Sequence, residues 1–267
     1  MDRNLIIDVG VDTGQDTKFS LKKGFRVVGI EAHPDIYESI KRQLNSYIES
    51  GQLTLLKITV SSKDEPITFY ANLDRSFWST ISPDRVKESD CSFSTPSLEM
   101  TVTGSRFESI LEEFRIPYYL KVDIEGSEPP CISVLGRTDA KPQFISIEST
   151  KASWNALLEE LELLKKLGYQ QFQAVNQAKL TQEVCSSPAR KGKYILYQFE
   201  CGASGLFGEE TPSDCPSESE VLKVYKGIFT NYKIFGVNGI IYHFAIGKIL
   251  LRSLTIKEPW YDINASL

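Results

Sequence analysis

Two textures alternate along the first 200 positions: short runs rich in branched and aromatic side chains, and longer stretches with apolar residues at helical spacing. The runs are NLIIDV (4–9), RVVGIEA (26–32), LTLLKITV (53–60), YYLKVDI (118–124) and QFISIES (143–149). Helical patterns fill intervals between them, notably over 35–50 and 107–114. Such alternation predicts an α/β fold, a parallel sheet with helices on its faces. Two further runs, YQQFQAV (169–175) and KYILYQF (193–199), are separated by a polar loop, which predicts an antiparallel pair closing one edge.

The alternation breaks twice. Over 61–104, ITFYANL predicts a short extra strand and SFWSTISPDRVKESDCSFSTPS is rich in serine and proline, so an insertion is expected between the third and fourth parallel strands. After Glu200 comes a Gly/Pro/Ser-rich stretch, CGASGLFGEETPSDCPSES, then a helical segment and the aromatic end PWYDINASL. The chain therefore reads as a sheet domain over 1–200 and a linker with a lid or cap over 201–267, without internal repeats.

Composition narrows the partners. The 267 residues, 41% of them hydrophobic, suffice for a full core. A net charge of −5 argues against nucleic acid, whose phosphates need a positive surface, and favours a small molecule. Five cysteines without C-x-x-C spacing argue against a zinc site or a disulfide framework, and MDRNLIIDVG shows no signal-peptide pattern. A reduced, cytoplasmic setting is expected. The most lipid-like segment, GIIYHFAIGKILL (239–251), is too short to span a bilayer, so no transmembrane segment is predicted.

In an open parallel sheet ligands bind beyond the carboxyl ends of the strands. The sequence at that place is DVGVDTGQDT, Asp8 to Thr17. Gly10 and Gly14 allow a tight turn and close backbone approach, and Glu31, 23 positions after Asp8, can accept hydrogen bonds from ribose hydroxyls. Ala32 beside it and Ser61 after the third run are placed in the same cofactor site. Asp8 and Asp12 are poorly placed for a pyrophosphate and well placed for an ammonium group, and G-x-G-x-x-G spacing is absent. S-adenosylmethionine, a nucleoside joined to a cationic amino acid, fits better than NAD.

The fourth run leads into YYLKVDIEGSEPP. Alternation puts Lys121, Asp123 and Glu125 on one side, Gly126 permits a turn, and Glu128 follows it. Glu148 holds a similar place after the fifth run. These acids and the lysine converge on the ligand crevice; a purely structural alternative pairs Lys121 with Glu125 or Glu148.

The segments DVGVDTGQDTKFSLKKGFRVVGIEAHP, GSRFESILEEFRIPYYLKVDIEGSE and ISIES, with FGEETP and WYDINA near the end, resemble the FkbM-type family of S-adenosylmethionine-dependent methyltransferases over nearly the whole chain. The resemblance implies a Rossmann-like, seven-stranded class I methyltransferase sheet, mostly parallel with one antiparallel strand. It also implies methyl transfer to oxygen, with sugars or natural-product hydroxyls as acceptors. By position, Asp8, Gly10, Gly14 and Glu31 match its cofactor residues, and Lys121, Asp123, Glu125, Gly126 and Glu128 its strand-four motif. Asp12 and Asn264 stand where relatives often carry histidine, so a histidine base there is missing from this chain.

An alcohol acceptor loses its proton as methyl transfer proceeds. Asp123 and Glu125 are the candidates to take it, with Lys121 beside them, ahead of His33 and His243. Alternatively Asp123 and Glu148 could share a divalent cation such as Mg²⁺. Trp78, Ser79 and Thr80 in the insertion, with Glu148, Trp260 and Tyr261, are expected to line the acceptor pocket; packing aromatics are the structural alternative. Cys131 is expected in the core, and a homodimer is left open. Two other functions compete: a nicotinamide-dependent oxidoreductase, disfavoured by the loop, and a non-catalytic nucleoside-binding domain.

Overall fold

The computed structural model describes residues 1–87, 95–124, 128–149, 153–177, 180, 184–200, 202–211, 217–235 and 261–267. The expected residues Glu125, Gly126, His243 and Trp260 lie outside them. Its strands are β1 (Asp2–Val9), β2 (Arg26–Ile30), β3 (Leu53–Leu56), β4 (Thr59–Ser61), β5 (Pro66–Asn72), β6 (Ser97–Arg106), β7 (Pro117–Val122), β8 (Phe144–Glu148), β9 (Gln171–Asn176) and β10 (Tyr261–Ser266). Its helices are α1 (Gln15–Lys22), α2 (Pro34–Gln43), α3 (Asn45–Glu49), α4 (Phe107–Phe114), α5 (Glu128–Leu135), α6 (Trp154–Lys166) and α7 (Glu218–Phe235).

Seven strands form one sheet in the order β3-β2-β1-β7-β8-β10-β9. Its pairs are parallel except those of β10, which runs antiparallel to both β8 and β9. This is the Rossmann-like methyltransferase sheet expected. The central strands are buried on both faces: all six residues of β7 and the last five of β1 are covered. One face carries Ile6, Val27 and Tyr119 against Phe19 of α1 and Ile40 of α2. The other carries Ile7, Leu120 and Ile145 against α4, α5, α6 and α7, with Cys131 fully buried among them. Phe229 of α7 meets Trp154 edge-on at 5.3 Å, which seats that helix on this face.

Three expectations are corrected. Residues 193–199 form no strand; the partner of β9 is β10, at the end of the chain. The alternation in KYILYQF is genuine, but its inward side chains Ile195, Tyr197 and Phe199 pack on α1, with Phe199 4.8 Å from Phe19. A half-buried extended segment looks the same in sequence whether a sheet or a helix covers it. The closing YDINAS, read as part of a lid, enters the sheet between β8 and β9. The run 53–60 divides: Leu53–Leu56 stays in the main sheet and Thr59–Ser61 pairs with β6.

The insertion is a second sheet, of order β4-β6-β5, with Phe69, Ala71 and Val102 as its own small core. Ala32 packs against that core, joining the insertion to the end of β2. Among the described residues no helix is long and apolar enough to cross a membrane.

Candidate functional site

Strand order reverses between β1 and β7, so their carboxyl ends open a crevice. Gly10 leaves β1 at φ 89°, and a Cβ built there would lie 1.8 Å from the carbonyl oxygen of Asp123. Only glycine lets the two backbones meet this closely. The loop is pinned by Gly10 N–H to the Ile30 carbonyl at 3.0 Å and by Asp123 N–H to the Val9 carbonyl at 2.9 Å. Gly14, at φ 80°, turns the chain into α1. Between them Asp12 holds φ 45°, a left-handed backbone that aspartate tolerates better than most residues.

Glu31 braces this loop from β2. Its Oε2 accepts from Asp12 N–H at 3.0 Å and its Oε1 from His33 N–H at 2.8 Å. Burial nevertheless pushes the carboxyl up to about 7. His33 caps α2, its Nδ1 accepting from Asp35 N–H at 3.3 Å, and burial lowers its imidazole.

Lys121 is the centre of charge. It is buried, donates from Nζ to the Gly10 carbonyl at 3.1 Å, and lies 3.4 Å from Asp8 Oδ1, 3.4 Å from Asp123 Oδ2 and 3.8 Å from Asp16 Oδ2. Burial opposes its charge, but Asp8, Asp123 and Asp16 outweigh it and hold the ammonium well above the usual lysine range. Asp8 is further fixed by Thr17, whose hydroxyl donates to its Oδ2 at 2.6 Å. Side-chain exposure is 3% for Asp8, 16% for Asp16 and 28% for Asp123, so Asp123 is the carboxylate that opens most to the crevice. Glu128 turns back instead, accepting from Ile124 N–H at 3.2 Å.

Strand register continues the polar surface. Asp8 pairs with Lys121, Lys121 with Ser146, Ser146 with Asn264 and Asn264 with Gln173, all on the face covered by α1. Toward the carboxyl ends, Glu148 stands opposite Asp262. Asp262 is buried, and its Oδ1 accepts from Gln177 Nε2 at 2.8 Å. Tyr261 is tied in beside it: Ser149 donates from backbone and hydroxyl to its carbonyl, both at 3.0 Å, and Tyr225 of α7 donates to that hydroxyl at 2.7 Å.

The model of the methyltransferase FkbM domain matches residues 8–170. The chain belongs to that family. No curated protein matches it. Among solved structures it is similar to a precorrin-6y C5,15-methyltransferase from Geobacter metallireducens, at 12% identity over 99% of this chain and 80% of that one, with a TM-score of 0.41. It is also similar to a precorrin 8w decarboxylase from Methanobacterium thermoautotrophicum, at 15% identity over 66% of this chain and 69% of that one, with a TM-score of 0.38.

In this FkbM chain the predicted Asp8, Gly10, Asp12, Gly14, Glu31, Lys121 and Asp123 come together around one crevice. The insertion residues hold one another: Ser79 Oγ accepts from Asn72 N–H at 3.1 Å, Thr80 pairs with Tyr70 through both backbone groups, and the Arg75 guanidinium lies 4.5 Å from the Trp78 ring centre. Ser61 turns its hydroxyl to its own chain, accepting from Lys63 N–H at 3.3 Å. Among the described residues no three ligand side chains cluster to hold a metal ion, so the Asp123–Glu148 cation finds no support.

Asp16 was missed, although it falls within the glycine-loop segment. It sits in the first turn of α1, four positions after Asp12, and a first-turn acid can turn back toward the strand ends. Ser204 N–H donates to both its oxygens at 3.0 Å, and burial pushes it up to about 6. A cavity of about 300 Å³ lies elsewhere, near the amino ends of β7 and β8, lined by Tyr119, Phe144, Gln173, Arg190 and Asn264. The charged groups around Lys121 gather instead at the carboxyl ends of β1 and β7.

Proposed function

We propose that this protein transfers a methyl group from S-adenosylmethionine to a hydroxyl oxygen of a sugar or small natural product. One observation carries the reading: three carboxylates meet a single buried lysine at the switch point of a methyltransferase sheet, leaving an excess of negative charge suited to a cationic nucleoside. The donor set fits that cofactor. Gly10 lets the ends of β1 and β7 meet so that Asp123 borders the crevice, Glu31 offers a carboxylate for ribose hydroxyls, and the acids around Lys121 suit an ammonium and a sulfonium.

When bound, the cofactor supplies a methyl group already made electrophilic by positive sulfur. The chain's part is to hold the acceptor in line and to take its proton, and positioning of this kind can lower a barrier by roughly 7–11 kcal/mol. Asp123 is the proton acceptor in this scheme, being the most open of the carboxylates around Lys121, which positions it at 3.4 Å. Trp78, Glu148 and Tyr261 would border the acceptor.

The test is calorimetry followed by turnover. S-adenosylhomocysteine is expected to bind while NAD does not, and labelled methyl is expected to pass to members of a sugar and polyol library. Absence of nucleoside binding would sink the reading; binding without transfer to any hydroxyl compound would favour a nucleoside-binding domain without catalysis.

A further inference from the structure

Four carboxylates act on the ammonium of Lys121: Asp8 from β1, Asp16 from α1, Asp123 from the end of β7 and Asp262 from β10. One buried cation cannot neutralise four clustered anions, and a buried carboxylate left uncompensated takes a proton rather than bear the cost of desolvation. Geometry selects which. Asp8 receives Thr17 at Oδ2 while its Oδ1, which has no hydrogen-bond partner among the described residues, lies 3.4 Å from the Lys121 ammonium; Asp16 receives two bonds from Ser204 N–H, and Asp123 opens to the crevice. Asp262 is 2% exposed, and while its Oδ1 is met by Gln177, its Oδ2 is buried without a hydrogen-bond partner among the described residues.

The surroundings of Asp262 favour the same answer on balance. Asp123 and Asp16 repel its ionised form; Lys121 and the nearby Ser204 side chain favour it. Tyr119 and Tyr225, whose phenols burial holds far above the usual range, are neutral neighbours, and Glu148 lies opposite in the strand ladder. The balance, led by burial and then by Asp123, pushes the Asp262 carboxyl up to about 8.

We propose that Asp262 is the proton-holding partner of the cofactor crevice: it carries a proton while the crevice lacks a cation and yields it when a sulfonium-bearing nucleoside binds. The inference rests on the methyl-transfer reading above. A positive sulfur among the same acids favours ionised Asp262, whereas a neutral thioether leaves it protonated. The step balances. As the acceptor oxygen bonds to the methyl carbon and the carbon–sulfur bond breaks, the acceptor O–H releases a proton and the sulfonium charge disappears. Asp123 passes that proton to Asp262, which acts through it as a positioning residue and needs no contact with the acceptor.

The experiment is calorimetry of the full chain near about pH 7.5, in two buffers of different ionisation heat, so that protons are counted for each ligand. Wild type is expected to release a proton with S-adenosylmethionine and to release markedly less with S-adenosylhomocysteine. Affinity for the sulfonium form should rise with pH more steeply than affinity for S-adenosylhomocysteine, the ratio of the two approaching roughly tenfold per unit below the Asp262 transition. Glu31, which faces the ribose end, would respond to both ligands alike and so cannot mimic the difference. Asp262→Asn should abolish the difference in proton count while both ligands still bind. Equal proton counts in wild type, or a difference that persists in Asp262→Asn, would overturn the inference. If neither ligand binds wild type, the methyl-transfer reading itself fails. Should Asp262→Asn not fold, the wild-type proton counts and pH profiles decide alone.

Discussion

The carbonyl oxygen of Asp123 lies where a side chain on Gly10 would begin, 1.8 Å from the ideal Cβ position. Strands β1 and β7 thus meet backbone to backbone at their carboxyl ends, and that contact brings Asp8, Lys121 and Asp123 within reach of one another.

Gly10→Ala should therefore break both fold and site. The clash is with backbone, and the Gly10 and Asp123 amides are each committed to a neighbouring strand, so neither side can retreat cheaply. The expected loss is about 3 kcal/mol or more, combining a forbidden φ with displaced backbone, and nucleoside binding should disappear. Gly14→Ala is the control. It shares the positive φ, but its Cβ would meet the Ile40 and Leu44 side chains at ordinary contact distances of 3.7 and 3.9 Å, so about 1 kcal/mol is expected. Urea unfolding and calorimetry of the two variants measure the contrast.

Lys121→Met should cost about 3–5 kcal/mol near neutral pH, because it leaves Asp8, Asp16 and Asp123 without their shared cation. The penalty should shrink in acid as these carboxylates take protons, with Asp16, already pushed to about 6, among the first. Denaturation at a series of pH values tests this. A pH-independent penalty would mean that lost packing, not stranded charge, is the cause.

Much of this was legible in sequence because it is local. The parallel strands follow from apolar runs at regular spacing, and the crevice from glycine turns and acids at strand ends. What sequence concealed is non-local. The slot between β8 and β9 is filled by YDINAS from the far end of the chain, and no periodicity can say that a strand crosses back to pair on both sides. KYILYQF has the alternation of a strand and packs on α1 instead. Asp16 and Asp262 lie far apart in sequence and become neighbours of Lys121 only once α1 and β10 are in place.

Glu31 gives a pH-dependent signature. Its carboxyl is raised from 4.5 to about 7, so the folded protein holds a proton that the unfolded chain has released across that window. Its contribution to stability is therefore present below about 4.5 and declines, by at most about 1.4 kcal/mol per pH unit, as pH rises toward 7. Glu31→Gln should lack this decline, so the two stability curves should diverge across the window, beyond a constant offset from the altered bonds to Asp12 and His33. Nucleoside affinity should rise with pH through about 7 in wild type and stay flatter in Glu31→Gln. Parallel stability curves would show that Glu31 ionises normally.

The cover over α1 depends on one buried ion pair. Lys23, just after α1, and Glu210 lie 2.8 Å apart with side-chain exposures of 0% and 1%. Lys23 also donates to the Lys193 carbonyl at 3.2 Å, and Glu210 accepts from Ser186 Oγ at 2.5 Å and Lys191 N–H at 3.2 Å. Burial opposes the Glu210 charge, but these donors outweigh it and hold the carboxyl below its usual range. Because its folded value is depressed, the stability it contributes is present above 4.5 and lost as pH falls through the folded value. Glu210→Gln should cost about 3–5 kcal/mol near neutral pH by leaving the Lys23 ammonium buried and unpaired, with the gap to wild type closing in acid. Lys23→Met combined with Glu210→Leu should recover much of that loss, since an apolar pair strands no charge. The coupling to the site is through Ser204, whose N–H holds Asp16 and whose segment packs Phe207 flat on Tyr119 at 4.7 Å. Loosening the cover in Glu210→Gln should therefore speed amide exchange over 184–207 and weaken nucleoside binding, and the double variant should restore both. Binding that stays weak in a stable double variant would instead assign the ion pair a direct part in the site.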